Sequence, residues 1–304
     1  MDILITGATG FIGRRLCKAL KNDNKRIRIV SRILDNSLEN SVTCDLLTET
    51  LPASSLEGIS TIFHLAGYAH DLGNPLKTEH LYQALNVDVT IRLAKLAVLM
   101  KVKRFIFVSS AKAGSSNIKK KSQSENSNEE PQGIYGRTKR EAELKLLDLV
   151  KDSDTRVDIV RPALVYGPGV KGNLASMLSG IEKGWFPPLP DVKNSRSMIH
   201  VDDLVRALIL VEKQKDSSGE IYIATDGQRY SSSQIYEILC KVLDKDIPRW
   251  KVPLFCFSMA ALINSGFKYK LQKLMGNEVY SSSKLESIGF KPKFTLREIN
   301  ETFF

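Results

Sequence analysis

The eight residues Thr6-Gly7-Ala8-Thr9-Gly10-Phe11-Ile12-Gly13 stand between a β-branched run, Asp2 to Thr6, and a helix-period segment, Phe11 to Lys21. Three glycines at intervals of three, with a strand before and a helix after, suit a chain that wraps a pyrophosphate. Gly7 permits the tight turn, Gly10 lets the backbone approach the anion, and Gly13 lets the helix pack on the strand. Phe11 and Ile12 open the helix, where unpaired N–H groups face the ligand. The motif predicts a dinucleotide site at the start of the chain.

Outward from this loop, short β-branched runs alternate with helical segments, the pattern of an α/β fold with a doubly wound parallel sheet. Strands are expected at Asp2 to Thr6, Arg26 to Val30, Ser41 to Cys44, Thr61 to Leu65, Arg104 to Ser109, Val157 to Arg161 and Ile221 to Ala224. Helices are expected at Phe11 to Lys21, Glu79 to Met100, Tyr135 to Lys151, Val201 to Glu212 and Ser233 to Leu243. Beyond Tyr166, Gly167-Pro168-Gly169 and Pro187-Pro188-Leu189-Pro190 mark a change of character. The expected division is a dinucleotide-binding domain over 1–165, rejoined by about 198–225, and a smaller substrate-binding lobe from 166–197 and 226–304. Phe255, Phe257, Trp250 and Met259 are expected to form the core of that lobe.

The 304 residues carry 42% hydrophobic and 26% charged side chains, the composition of an ordinary globular chain. No apolar stretch approaches the ~20 residues of a membrane span, and the acidic start at Asp2 lacks the basic opening of a signal peptide. A cytoplasmic protein is the expectation. Cys17, Cys44, Cys240 and Cys256 are scattered without a CxxC pair, so neither a disulfide framework nor a metal site is expected. The net charge of +10 admits nucleic acid, anionic lipid and phosphorylated small molecules as partners. The one dense basic run, Lys119-Lys120-Lys121, has no interleaved aromatics, which argues against nucleic acid. It sits in a polar stretch, Ser115 to Gln132, that reads as a mobile flap.

Two places near the expected dinucleotide choose its type. At the end of the second strand, where an acidic residue would hold an unphosphorylated ribose, stands Arg32. Arg32 fits a 2′-phosphate and so favours NADP, with NAD as the alternative if the guanidinium stacks on adenine instead. After the third strand, Asp45-Leu46 is placed either to meet the adenine or to cap a turn. Farther on, Tyr135 and Lys139 lie four residues apart on one helix face, and a nearby ammonium is expected to lower the phenol pKa. Ser110, delivered by the strand Arg104 to Ser109, is placed to bond the same reacting oxygen.

These segments together resemble the extended short-chain dehydrogenase/reductases, the epimerases, dehydratases and reductases of nucleotide sugars. The resemblance rests on the glycine loop, Phe63-His64-Leu65-Ala66-Gly67, Leu85-Asn86-Val87, Ser109-Ser110, Tyr135 with Lys139, Arg161 to Gly169, and Arg196 to Leu204. It implies a catalytic set of Asn86, Ser110, Tyr135 and Lys139, with Lys139 also holding the nicotinamide ribose. Pro162 to Val165 would line the nicotinamide, and Leu65, Ala66 and Gly67 would pass beside the pyrophosphate, although the family more often has Ala where Gly67 stands. Asn173 and Arg196 match positions that contact a nucleotide diphosphate, Arg196 having a surface ion pair as its alternative. His70 is a weaker substrate candidate. The run Ser110-Ala111-Lys112 lacks the Thr-Asp-Glu triplet of the 4,6-dehydratases. With His70 and Gly167 to Asn173 it is most similar to reductases of UDP-4-keto-6-deoxy-N-acetylhexosamines, which serve surface polysaccharide synthesis. A UDP-hexose or UDP-N-acetylhexosamine 4-epimerase is the alternative, and a non-catalytic dinucleotide sensor a further one. Relatives pair the helices that hold Leu93, Leu96 and Leu99 and Leu144, Leu147 and Val150, so a homodimer is expected.

Overall fold

The computed structural model describes residues 2–33, 40–69, 78–114, 122–126, 129–131, 133–214, 217–263, 271 and 274–299. Seven parallel strands form one sheet in the order β3-β2-β1-β4-β5-β6-β9: β1 Asp2–Thr6, β2 Arg26–Ser31, β3 Ser41–Thr43, β4 Ile59–His64, β5 Arg104–Val108, β6 Arg156–Pro162 and β9 Ile221–Ala224. The chain moves outward from β1 to β3 and then returns to place β4 on the other side of β1. That reversal opens a crevice at the carboxyl ends of β1 and β4, where such sheets bind ligands.

Strand alternation decides which face each side chain joins. Ile3 and Ile5 of β1, with Ile106 and Val108 of β5, enter a core under α1 (Phe11–Asn22) and α6 (Val201–Glu212). Leu4, Phe105 and Phe107 point the other way, beneath α3 (Val89–Leu99) and α4 (Gly133–Leu149). Both faces are covered, so the strands read as continuous apolar runs. A third core gathers Tyr166, Leu174, Met177, Tyr230, Ile235, Leu239 and Phe257. It lies among a two-stranded parallel ladder, β7 Leu164–Tyr166 with β8 Met198–His200, and the helices α5 (Asn173–Glu182), α7 (Ser232–Val242) and α8 (Leu254–Ile263).

Four expectations need correction. The helix expected over 79–100 is interrupted: α2 (Glu79–Gln83) passes through a π turn at Ala84–Asp88 before α3 begins. The flap is anchored where it is described, because Gln123 pairs with 279–281 through backbone bonds of 3.0 and 2.8 Å and Glu125 accepts the Ile223 N–H at 2.9 Å. Backbone pairing there replaces the apolar burial that the segment lacks; Lys119, Lys120 and Lys121 lie outside the described residues. Of the four residues assigned to the second core, only Phe257 is buried, while Trp250, Phe255 and Met259 are exposed. On the paired helices Leu93 and Val150 belong to the core, and Leu99 and Leu144 are the exposed ones.

At the end of β4 the buried His64 ring joins three elements. Its Nδ1 lies 2.7 Å from Thr6 Oγ1 and its Nε2 lies 2.9 Å from Thr90 Oγ1. The Thr90 hydroxyl donates to the Asn86 carbonyl at 2.8 Å, so Nε2 carries the ring proton and Thr6 donates to Nδ1. Burial first, and the Lys139 charge second, push the His64 pKa from 6.5 down to about 3. Below pH 6.5 the unfolded chain therefore binds a proton that the native state refuses, and stability falls with pH until about pH 3. Urea melts should show about 2 kcal/mol lost through this group between pH 7 and 5, and His64→Gln should remove that part of the slope.

Candidate active site

The glycine turn is shaped by crowding. Gly7 has φ +71°, and a Cβ there would meet Ala66 N at 2.7 Å. Gly13 packs on the backbone of Gly7 and Ala8, which seats α1 against β1. Gly10 is the N-cap of α1, no side chain caps the helix, and its first turn holds no acidic residue. The N–H groups about Phe11, Ile12 and Gly13 thus face the crevice as an anion site would require. Leu65 N–H donates to Thr6 O at 3.2 Å and Ala66 N–H to Thr6 Oγ1 at 3.3 Å, which holds the loop after β4 beside the glycine turn. This cradle fits the pyrophosphate of a dinucleotide.

At the ribose end, Arg32 follows β2 and is exposed. Asp45 caps its own turn, with Oδ1 accepting from Leu47 N–H at 3.0 Å, the capping arrangement among the two left open by sequence. Leu46 is buried in the core beneath α3. Pro162 ends β6 and is buried, and Val165 lies in β7, partly covered by the core under α1 and α6.

Ser110 and Tyr135 come together although they stand 25 positions apart in the chain. The Ser110 side chain stands close enough to the Tyr135 phenol to favour its charged form, and it accepts Lys112 N–H at 3.2 Å as the cap of a short turn, Ala111–Ala113. Gly136 makes the approach feasible, since a Cβ there would stand 2.6 Å from the Lys112 carbonyl oxygen. Tyr135 also meets Tyr82 edge-on at 6.3 Å, and Tyr82 meets Tyr68 at 4.8 Å.

The expected electrostatics of the pair need revision. Burial raises the Tyr135 pKa, with the nearby Ser110 side chain as the opposing influence. Lys139 does not act on the phenol here because its Nζ donates to the Val108 carbonyl at 3.1 Å and lies 4.7 Å above the Phe107 ring. Burial brings the Lys139 pKa down from 10.5 to about 8, and Glu143 works against that fall. In this state Tyr135 is a protonated phenol beside a cation that changes charge near neutrality.

Asn86 is wholly buried in the π turn and clamps the loop after β4. Its Oδ1 accepts Tyr68 N–H at 2.8 Å, and its Nδ2 donates to Tyr68 O at 3.1 Å and Thr138 Oγ1 at 3.2 Å. Gly67 fits here because a Cβ would stand 2.8 Å from Asn86 Oδ1 and 3.1 Å from Lys139 Nζ. The alanine usual at this position would press on both side chains.

Two features of the site escaped the sequence reading. Glu143 continues the Tyr135 and Lys139 spacing by a further four residues and is fully buried, gripped by Arg161 of β6 through Nε at 2.8 Å and NH2 at 2.5 Å. The i, i+4, i+8 run on one helix face was its available signal. Arg196, assigned to a diphosphate, is buried with NH2 2.9 Å from Glu278, whose other oxygen receives Lys112 Nζ at 3.1 Å. The ion pair that sequence left as the alternative is the one formed, though inside the protein rather than at its surface. Asn173 is exposed at the start of α5, and His70 lies outside the described residues.

A match to the NAD dependent epimerase/dehydratase family spans residues 3–224, and the chain belongs to that family of enzymes. It is 33% identical to a UDP-glucose 4-epimerase of Vibrio cholerae, over 98% of this chain and 92% of that one. It is 25% identical to the N-acetyl-alpha-D-glucosaminyl-diphospho-ditrans,octacis-undecaprenol 4-epimerase of Escherichia coli O157:H7, with coverages of 98% and 92%. Among solved structures, the UDP-glucuronic acid 4-epimerase of Bacillus cereus in complex with NAD superposes with a TM-score of 0.80 at 22% identity, covering 99% of this chain and 97% of that one. Its likeness is one of fold.

Gly136→Ala should separate the Ser110 turn from α4. A displacement of about 1 Å at reacting groups costs up to ~10²-fold in turnover, and steady-state rates should fall on that scale while dinucleotide binding, measured by calorimetry, holds.

Proposed function

We propose that the chain is a 4-epimerase of a nucleotide-linked hexose, with UDP-glucose or UDP-N-acetylglucosamine as the first substrates to try. The observation that carries this reading is the gathering of Ser110, Tyr135 and the buried Lys139 at the carboxyl end of β5, with Ser110 acting on the Tyr135 phenol and Lys139 held on the Val108 carbonyl. These groups serve proton exchange at one sugar oxygen, whereas Ala111 and Lys112 supply neither carboxylate that dehydration needs. The Vibrio cholerae relative supports epimerisation over the 4-keto reduction to which Ser110-Ala111-Lys112 is similar.

Tyr135, as phenolate, would take the proton of the C4 hydroxyl as the sugar is oxidised and return it to the same oxygen as the sugar is reduced again, and Ser110 orients that oxygen. The phenolate that starts and ends this cycle would be stabilised when Lys139 releases Val108 and turns toward it. NAD, held by Gly7, Gly10, Phe11, Ile12 and Gly13, with Leu65 to Gly67 alongside, supplies the acceptor and donor of hydride. Asp45 and Leu46 would border its adenine, Pro162 and Val165 its nicotinamide, and Asn86 would fix the loop over it. The substrate diphosphate would fall to Asn173 and to Arg196, the latter by exchange from Glu278. On this reading, residues 166–197 and 226–304 form the substrate lobe.

One observation favours the reductase as a second reading: Arg32 stands exposed where a 2′-phosphate would lie. The exposed Leu99 and Leu144, on the packed helices α3 and α4, support a homodimer.

Purified protein with UDP-glucose and trace NAD should form UDP-galactose without net change at 340 nm. Consumption of NADPH with a UDP-4-keto sugar, and no epimerisation of any UDP-hexose, would replace this reading by the reductase. Tyr135→Phe should bind dinucleotide normally and turn over ~10²-fold or more slowly. Sedimentation at micromolar concentration should give a dimer that Leu99→Glu with Leu144→Glu converts to monomer.

A further inference from the structure

Glu278 stands beside the turn that carries Ser110. Its backbone is held on both sides, with its N–H donating to the Ser195 carbonyl at 2.8 Å and its carbonyl accepting the Ser197 N–H at 2.7 Å. Two residues on, Tyr280 packs with Ala111, Ala163 and Ile223, so the segment lies against the residue between Ser110 and Lys112. The same segment pairs with Gln123, in the stretch of chain that joins Ser110 to Tyr135. The Glu278 carboxylate can therefore move only by rotation of its own side chain.

That carboxylate is divided between two cations from different parts of the fold. Oε1 lies 3.1 Å from Lys112 Nζ, and Oε2 lies 2.9 Å from Arg196 NH2. A pair that serves the core has another form: Glu143 places both oxygens on the one guanidinium of Arg161, and both side chains are closed off from water. Here the side chains of Lys112 and Glu278 stay 35% and 19% exposed, and Lys112 forms no other ion pair among the described residues. Arg196 is also held by the Leu274 carbonyl at 3.3 Å, so it keeps its place if Glu278 withdraws. An ammonium and a guanidinium that meet on one carboxylate are spaced to take an oxyanion, one oxygen each.

We infer that Lys112 and Arg196 together form an anion subsite beside Ser110, with Glu278 as a built-in occupant that an oxyanion of the substrate displaces. The inference rests on the nucleotide-sugar reading above and gives Lys112 a part in it. A sugar nucleotide offers two such groups, the diphosphate and, in a uronic acid, the C6 carboxylate. Either can give one oxygen to each cation, as Glu278 does. Exchange between the two anions keeps both cations paired throughout, so neither is stranded without a counter-charge when the substrate leaves. Affinity in turn depends on the fraction of molecules in which Glu278 has let go.

Calorimetry on the full-length protein with UDP, UDP-glucose and UDP-glucuronate tests the subsite and identifies its occupant. Glu278→Gln removes the competing charge and should tighten the ligand that supplies the oxyanion by about threefold or more. Lys112→Met should weaken the same ligand by about tenfold, and the loss should shrink as salt rises. If the diphosphate is the occupant, all three ligands respond alike; if the carboxylate is, UDP-glucuronate alone responds. Opposite signs for the two variants are the signature, because loss of a merely structural ion pair would move both in one direction. Unchanged binding of all three ligands to Lys112→Met would overturn the inference and leave the nucleotide-sugar reading standing, as would weaker binding to a Glu278→Gln protein of normal melting temperature. Lys112 is partly exposed, so its variant keeps the fold and decides the matter if Glu278→Gln melts early. Wild-type protein that binds none of the three would overturn the inference and that reading together.

Discussion

A neutral imidazole beside a buried ammonium holds the crevice together. His64 receives the Thr6 hydroxyl on one ring nitrogen and donates from the other to Thr90, so the glycine turn, the end of β4 and α3 share one side chain. Thr90 passes the connection to the Asn86 carbonyl, and the Asn86 amide extends it to Thr138 on α4, one residue before Lys139. This relay ties the glycine turn, the loop after β4 and α4 to one another across the sheet's carboxyl edge. Each hydroxyl in it has one proton to give, which leaves a single pattern of donors.

A different balance operates one helical turn away. Glu143 and Arg161 are both fully buried, and two charges removed from water are tolerable only when each satisfies the other in good geometry. The two-pronged contact supplies that geometry and ties α4 to β6. The Glu143 charge also offsets the burial that favours a neutral Lys139, so the ion pair affects the site through potential as well as position.

Legibility followed sequence separation. The glycine loop and the Tyr135–Lys139 spacing are local patterns whose meaning survives without a partner, and the sheet expected from alternating segments is the one formed, with seven parallel strands. Strands β7 and β8 pair only with each other, outside the main sheet, and were not expected. Arg196 and Glu278 are 82 residues apart, so nothing near Arg196 announced its partner. Lys139 was misjudged for a similar reason: the Val108 carbonyl that holds it comes from another element. In α8 the uniform apolar sequence has no polar stripe to say which side faces inward, so Phe257 and Phe255 looked alike.

The π turn at Ala84–Asp88 has an evolutionary corollary. A π turn is an α-helix with one residue too many, and the surplus is absorbed locally while the flanking turns keep their faces. Loss of one codon in this stretch would therefore heal the helix into a regular one with Tyr82 and Leu93 still facing inward, but it would remove Asn86 or turn it off the loop at Gly67 and Tyr68. Substitution at most buried positions erodes the fold and the site together. Here a deletion would detach the two, leaving a folded chain whose loop after β4 has lost its clamp.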